Sequence, residues 1–218
     1  MPVSRSLNEF VEDQGHLRVA LDKAKEQYRP YDQGWYLYHQ VVAHENVAEK
    51  FSHDFIALVY ATLGAWNMNS RGAKLAEFNE FKQSLMTQST RMMDLANYRL
   101  ESISSMDAER ILREFVECFF SDVLLVAEGK PRLVTYSKTL HFFLPHLFMP
   151  VDRRYTLTFF YGNTDVPRSV GKQFVKFSEI FLEFLKFATA VQLQPFQDNT
   201  WNANIPKTID NLIIGHLL

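Results

Sequence analysis

Hydrophobic residues recur along this chain at the three-to-four-residue spacing of α-helices. The pattern predicts helices over about 7–28, 32–47, 52–66, 73–87, 90–101, 106–124, 133–144, 169–190 and 206–214. No segment alternates hydrophobic and polar residues for long enough to predict a β-strand. We therefore expect an all-α globular fold of about nine or ten helices of ordinary length.

Several helix boundaries carry their own signals. Ser6 and Ser105 are predicted N-caps, because a serine hydroxyl can accept a hydrogen bond from the first free backbone N–H groups of a helix. Pro30 should end the first helix, and Pro206 suits the first turn of the last one. Residues 67–72 are predicted to form a turn.

The composition limits the class of protein. A chain of 218 residues with 47% hydrophobic residues suits a single domain over residues 1–218. The one cysteine, Cys118, cannot form an internal disulfide, and its apolar neighbours predict a buried thiol. No apolar run has the length of a signal peptide or a membrane span. We expect a cytoplasmic protein with no membrane partner, and its oligomeric state stays open.

Common catalytic and metal-binding motifs are missing from the sequence. The histidine pairs His39/His44 and His141/His146 are each five residues apart, which does not place both side chains on one helix face. The sequence has no glycine-rich phosphate loop, no Gly-x-Ser-x-Gly elbow and no Cys-x-x-Cys. It therefore predicts neither a metal site nor a cofactor.

The charge is unevenly distributed. Residues 130–172 contain seven basic and two acidic residues, a local charge of +5 in a chain whose formal net charge is −2. A local basic patch is typical of a surface that binds a phosphate-bearing partner. The alternative is a solvated helix face, which is the usual role of charged residues.

The stretch SKTLHFFLPHLFMPVDRRYTLTFFYG, residues 137–162, combines a lysine, two helix-breaking prolines and an aspartate before a second apolar helix. Pro145 and Pro150 predict a bend and a new helix entry. Asp152 is favoured at that entry as an N-cap and by the helix dipole. Capping explains Asp152, but it leaves Lys138 unexplained.

This stretch resembles the helix-hairpin-helix DNA glycosylases. Met149-Pro150-Val151-Asp152 is similar to the connection that carries the catalytic aspartate in that family, and Lys138-Thr139 is similar to the lysine of its lyase-competent members. Residues 55–66 resemble the central helix of its first lobe, followed by a DNA-facing turn at 67–70. Val134 and Tyr136 stand where the family's hairpin has glycines that let backbone N–H groups approach a DNA phosphate.

The resemblance implies a two-lobed fold, with about 30–125 in the first lobe and 1–29 plus 126–218 in the second. It implies hydrolysis of an N-glycosidic bond on a flipped base, with Asp152 as the catalytic carboxylate. Lys138 is either an amine nucleophile or a cation at the edge of the core or on a phosphate. The predicted nucleic-acid-binding residues are Lys130, Arg132, Arg153 and Arg154 for phosphates, Trp66 and Tyr136 for stacking on a base, and Asn69 in the turn.

A second hypothesis keeps the same scaffold without its chemistry. In that case the chain is a catalytically inactive helical module that binds nucleic acid or a protein through its basic face. A purely structural helical domain is the third hypothesis. The first two hypotheses separate on whether Asp152 lies in a cleft with Lys138 and aromatic rings or only caps its own helix.

Overall fold

A computed structural model describes residues 3–11, 14–27, 32–69, 74–198 and 200–218. Its helices in chain order are α1 (Gln14–Glu26), α2 (Gln33–Val42), α3 (His53–Ala65), α4 (Phe78–Met86), α5 (Ser89–Asp94), α6 (Ser105–Ile111), α7 (Glu117–Asp122), α8 (Leu133–Phe143), α9 (Thr158–Tyr161), α10 (Val170–Ala190) and α11 (Ile205–His216). Short 3-10 turns lie at Leu7–Phe10, Glu49–Phe51 and Gln194–Phe196. A π-helical turn at Leu112–Val116 joins α6 to α7, and a second one at Arg153–Leu157 leads into α9.

The all-α prediction is confirmed. When segments joined by π-helical turns are counted as one, the described residues form ten helices and no β-strand. An isolated bridge between Leu75 and Val126 is the one extended pairing within the described ranges. Among these residues, no helix combines the length and apolar character that crossing a bilayer requires.

Two predicted boundaries were wrong. Ser6 does cap a helical segment, but that segment is the short 3-10 turn Leu7–Phe10, and α1 begins separately at Gln14. The N-cap of α6 is Ser104, whose hydroxyl accepts from Asp107 N, and Ser105 is the first helical residue. The predicted stop at Pro30 and residues 70–73 of the predicted turn and helix lie outside the described residues.

Helix α8 is buried along its whole length, so its terminal backbone groups need partners within the protein. At its start, the backbone N–H groups of Arg132 and Leu133 donate to Gln173 Oε1 at 2.7 and 2.9 Å. At its end, Lys50 Nζ donates to the carbonyls of Phe142 and Phe143 at 3.2 and 3.0 Å. These side chains come from α10 and from the turn Glu49–Phe51, so they fix α8 at both ends.

The last helix, α11, packs against α1 at very close range. A Cβ atom added to Gly215 would lie 1.6 Å from the Ala20 carbonyl oxygen, so only glycine fits there. Ser4 also joins the N-terminal residues to the C-terminal half, because its backbone N–H and its hydroxyl both donate to Phe160 O. The predicted division into two lobes stays a prediction.

We expect Gly215→Ala to destabilise the protein by about 1–3 kcal/mol or more, because the added methyl group forces α1 and α11 apart. Gly64→Ala in α3 is the matched control. Apart from its two neighbours in the chain and the backbone of the helix itself, the atom nearest to the new Cβ would lie 3.9 Å away. Alanine should stabilise that helix position by roughly 0.5–1 kcal/mol. Urea unfolding of both variants measures the two changes, and equal stabilities would contradict this account of the α1–α11 contact.

Candidate active site

A single buried hydrogen bond brings the two predicted catalytic residues together. Ser137 Oγ, on α8, accepts from the backbone N–H of Val151 at 3.0 Å. Lys138 follows Ser137 in the chain, and Asp152 follows Val151. The bond therefore places two residues that are distant in sequence side by side, with Lys138 Nζ 3.8 Å from Asp152 Oδ2.

The two carboxylate oxygens of Asp152 have different partners. Oδ1 accepts from Arg154 N at 2.7 Å and from Tyr155 N at 3.3 Å, which is the bonding pattern of an N-cap. Oδ2 is the oxygen that faces Lys138, and the Asp152 side chain is 37% exposed. Asp152 therefore caps its own helix and also presents an oxygen to a cleft, and its catalytic role stays a prediction.

Trp66 forms the wall of the site next to Lys138. The Lys138 Nζ atom lies 4.6 Å from the centroid of the Trp66 ring, within cation–π range. Helix α3 ends directly before Trp66, and the left-handed backbone of Asn67 (φ 61°) turns the chain away there. On the other side Gly34 makes room for the indole, since a Cβ at Gly34 would meet Trp66 Cδ1 at 2.5 Å.

These residues line a cleft of about 530 Å³, a volume within the usual range of small-molecule sites. The aromatic residues on its walls are Trp35, Trp66 and Tyr155. Its charged residues are three cations and three carboxylates: Lys138, Arg154, Lys207, Asp32, Asp152 and Asp210. A smaller depression of about 250 Å³ adjoins it and shares Trp66, Asp152 and Arg154.

The sequence analysis missed a buried ion pair of the cleft. Lys207 Nζ and Asp210 Oδ2, both on α11, lie 2.6 Å apart, and the two residues are 5% and 4% exposed. Burial raises the pKa of the Asp210 carboxyl, and the Lys207 and Lys138 ammonium groups oppose that rise. Two opposite charges three residues apart in an apolar helix were the available signal for this pair.

A polar network behind Trp66 supports its position. Tyr38 stacks on Trp66 with ring centroids 5.6 Å apart, and its hydroxyl donates to His141 Nε2 at 2.9 Å. His141 Nδ1–H donates to Phe148 O at 2.8 Å, which fixes the neutral tautomer. Burial is the main cause that lowers the pKa of His141 to about 3, so this ring is uncharged at neutral pH.

Arg153 and Arg154 lie where the resemblance predicts phosphate contacts. Both residues are exposed, and both line the smaller depression beside Asp152. Arg153 Nε donates to the carbonyl of Thr164 at 2.8 Å, and the Arg154 guanidinium lies 5.2 Å from the centroid of the Tyr155 ring. These contacts keep the two guanidinium groups at the smaller depression, which we call the mouth of the cleft.

The other predicted nucleic-acid contacts are more scattered. Lys130 is exposed on the turn before α8, outside the residues that line the cleft. Asn69 is exposed beyond α3, and its side-chain oxygen accepts from Leu75 N at 3.2 Å. Ser70, the last residue of the predicted DNA-facing turn, lies outside the described residues.

Arg132 and Tyr136 do not face the cleft, which corrects their expected places. Arg132 Nη1 donates to the carbonyls of Phe120 and Ser121, so the guanidinium caps the end of α7. Tyr136 is completely buried, and its hydroxyl donates to Val123 O. The helical spacing that places Tyr136 on α8 could not show that every face of α8 is covered.

Gln173 also bears on the expected phosphate contact at the start of α8. In the resembled family, backbone N–H groups of the hairpin are free to approach a phosphate because glycines surround them. Here the N–H groups of Arg132 and Leu133 donate to Gln173 Oε1, on a residue that is itself 1% exposed. These two N–H groups at the start of α8 are therefore already bonded within the protein, while the phosphate-binding role of Arg153 and Arg154 stays a prediction.

Comparison of the chain with protein-family models, with curated proteins and with solved structures finds no match. The relationship to the helix-hairpin-helix glycosylases stays a prediction that depends on residues 55–70 and 130–190. Among the described residues, no group of three or more His, Cys, Asp or Glu side chains is arranged to hold a metal ion.

The contribution of the Asp152 cap can be measured as a change in the stability of the folded protein. Asp152→Ala should destabilise the protein by about 0.5–2 kcal/mol, because Arg154 N and Tyr155 N lose their acceptor. Asp152→Asn keeps an acceptor oxygen and removes only a half-exposed ion pair, so it should cost roughly 1 kcal/mol or less. Thermal unfolding of both variants gives the comparison.

Ser104→Ala is the matched control for that experiment, because Ser104 Oγ caps α6 through Asp107 N at 3.0 Å and lies outside the cleft. Its loss of stability should resemble that of Asp152→Ala. Equal stabilities of the Asn and Ala variants at position 152 would show that the cap contributes nothing.

Proposed function

We propose that this protein hydrolyses the N-glycosidic bond of a nucleotide whose base is displaced into the cleft, with Asp152 as the catalytic carboxylate. The observation that carries the proposal is the placement of Asp152 Oδ2 beside Lys138 Nζ in a cleft walled by Trp66. A carboxylate that only capped its helix would not need this cleft. The resemblance of Met149-Pro150-Val151-Asp152 to the glycosylase connection supports the same assignment.

The chemistry needs a negative charge beside the sugar carbon C1′. When the bond between C1′ and the base nitrogen breaks, the base leaves with the bonding electron pair and C1′ becomes cationic. The Asp152 carboxylate stabilises this charge electrostatically, because it is already fixed by its bonds to Arg154 N and Tyr155 N. A water oxygen then bonds to C1′, its proton passes to Asp152, and a proton reaches the departed base from solvent.

The walls and mouth of the cleft suit the two parts of a nucleotide. Trp66, Trp35 and Tyr155 give the cleft an aromatic lining for a displaced base, and aromatic side chains bind bases with little sequence preference. The Arg153 and Arg154 guanidinium groups supply donors to backbone phosphates. If the base lies inside the cleft and the phosphates lie at its mouth, the sugar carbon C1′ lies between them, next to Asp152.

Lys138 has a charge-based role in this proposal. Its Nζ lies between the Asp152 carboxylate and the Trp66 ring, and both surroundings favour an ammonium group. An ammonium there orients Asp152 Oδ2 and contacts the sugar or its phosphate. In the competing role a neutral Lys138 amine attacks C1′ and the base leaves with the bonding electron pair. The C1′–O4′ bond of the sugar then breaks, a proton passes from the lysine nitrogen to O4′, and the resulting Schiff base is reduced by borohydride to a stable amine.

A non-catalytic module is the second candidate function, and Gln173 favours it. The N-terminal N–H groups of α8 are already bonded to this side chain, so the usual DNA clamp of the resembled family is filled from within. In this case the cleft and its mouth bind nucleic acid or a protein without cleaving a bond.

The catalytic proposal predicts activity on at least one member of a panel of duplexes, each with a single damaged or mismatched base. Asp152→Asn should lower single-turnover cleavage on that substrate by about a hundredfold or more, the usual effect of losing one preorganised electrostatic group. Asp165→Asn is the control, because Asp165 is exposed and outside the residues that line the cleft, and its turnover should match the wild type.

Two outcomes would contradict this assignment. Full activity of Asp152→Asn would reduce Asp152 to a helix cap. Borohydride trapping that survives Asp152→Asn and disappears in Lys138→Ala would move the covalent chemistry to the lysine. A folded wild type that binds DNA but cleaves no member of the panel would favour the non-catalytic module.

DNA binding should depend steeply on salt. Arg153→Glu with Arg154→Glu should abolish measurable binding at low salt, and neutral Gln variants should lower the slope of log K against log salt by about two, one for each lost phosphate contact. The control is Arg91→Glu with Arg113→Glu, which changes the net charge equally on exposed residues away from the cleft. Fluorescence anisotropy with a labelled duplex gives both slopes, and equal losses in the two double variants would rule out a local site.

A further inference from the structure

A second cavity, of about 250 Å³, lies at the C-terminal end of α8 and shares no lining residue with the cleft. Its apolar wall includes Phe143, Leu144 and Leu147. Its polar residues come from four other parts of the chain: His44 and Glu45 after α2, Lys50 in the turn Glu49–Phe51, Tyr98 and Arg99 after α5, and His146 after α8.

Lys50 is the most deeply buried of these groups, at 1% exposed. Two N–H groups of its ammonium are used by the bonds to the Phe142 and Phe143 carbonyls, and an ammonium has three. Among the described residues these two carbonyls are the only hydrogen-bond acceptors of Lys50 Nζ, which also lies 5.8 Å from the centroid of the Phe55 ring. Burial lowers the pKa of Lys50 to about 8, so its cationic form predominates at pH 7 but has little compensation.

Arg99 adds a second cation to the same cavity, and His146 adds an imidazole ring that is uncharged at pH 7. Arg99 Nη1 donates to the carbonyl of Ala96 at 3.1 Å, which leaves most of the guanidinium's donors for other partners. The backbone N–H of Leu100 donates to His146 O at 2.9 Å and so holds these two segments together. Burial, followed by the charges of Arg99 and Lys50, lowers the pKa of His146 to about 4.

The cavity is therefore electropositive. His44 adds a second imidazole, the Tyr98 hydroxyl accepts from Arg110 Nη2, and Glu45 is the one carboxylate among the lining residues. Glu45 is exposed, so its charge is largely screened by solvent. An anion in the cavity would offset the repulsion between the Lys50 and Arg99 charges. It would also accept the hydrogen bonds that these two side chains and the His146 ring still offer.

We propose that this cavity is a binding site for a phosphate group, held by Arg99, Lys50 and His146. Typical small-molecule sites begin at roughly 300 Å³, and this cavity is smaller, so a small ligand fits. A phosphate has enough oxygen atoms for all three side chains, and its negative charge is opposite to the charges of Arg99 and of protonated Lys50. The group can be free orthophosphate or the terminal phosphate of a nucleotide, which presents the same chemistry to the cavity.

The test follows the His146 ring by carbon–proton correlation NMR as sodium phosphate replaces sodium chloride at constant ionic strength and pH 7. The His146 signal is assigned by its loss in His146→Gln. We expect a saturable shift with a Kd of about 1 mM or lower, which corresponds to roughly 4 kcal/mol of binding free energy. In a pH titration, saturating phosphate should raise the His146 midpoint from about 4 towards the ordinary histidine value of 6.5, because the anion favours the imidazolium.

Two variants test the site against a surface effect of salt. Arg99→Gln should weaken phosphate binding by roughly tenfold or more, the effect of losing one charged hydrogen-bond partner. Arg113→Gln, on an exposed side chain outside the cavity, should leave the Kd unchanged. If Arg99→Gln does not fold, His146→Gln takes its place, because His146 is exposed to solvent and its replacement should be tolerated. Calorimetric titration should show that this variant also binds phosphate more weakly than the wild type.

The source of the phosphate is distinguished by comparing orthophosphate with thymidine 5′-monophosphate, with thymidine as the control. Tighter binding of the nucleotide through the same His146 shift assigns the site to a terminal nucleotide phosphate, and binding of orthophosphate alone assigns it to the free ion. A shift that never saturates, a Kd that Arg99→Gln does not change, or an equal response to thymidine would overturn the proposal.

Discussion

Complete burial of α8 is the constraint on which the rest of this structure depends. A buried helix cannot leave its terminal N–H and C=O groups to water, so other side chains have to supply the missing hydrogen bonds. Gln173 does so at the N-terminal end and Lys50 at the C-terminal end. The helix is consequently fixed along its axis, and Ser137 and Lys138 in its middle have fixed positions relative to Val151 and Asp152.

The same constraint explains why one carboxylate can act as a cap and face a cleft. Because Val151 N is bonded to Ser137 Oγ, the chain reaches Asp152 with its backbone already held against α8. The cap uses Oδ1, whose direction is set by the start of the next helix, and Oδ2 is left on the Lys138 side. A carboxylate fixed in this way needs little reorganisation when a positive charge develops beside it. In the proposed reaction, helix capping would therefore be what holds the Asp152 carboxylate in place.

The sequence was sufficient for features that depend on neighbours along the chain. Helical spacing and the residues Ser52, Asp152 and Pro206 located helix entries, because caps and proline act over one turn. It was insufficient for features that depend on residues brought together by folding. Gln173 lies 40 residues beyond Leu133, and no periodicity relates the two. The buried Lys207–Asp210 pair was missed for a different reason: its i, i+3 spacing is visible in the sequence, but such pairs are also common on exposed helices.

The folded positions also change the meaning of the local charge of +5. Two of its seven basic residues, Arg132 and Lys138, turn inwards, to the end of α7 and to Asp152 respectively. Inside the cleft the charges of Lys138 and Lys207 are balanced by those of Asp152 and Asp210, so its deepest part does not favour an anion. Arg153 and Arg154 are exposed at the mouth. A polyanionic strand would therefore be held at the mouth by its phosphates, while the balanced, aromatic interior is left for an uncharged ring.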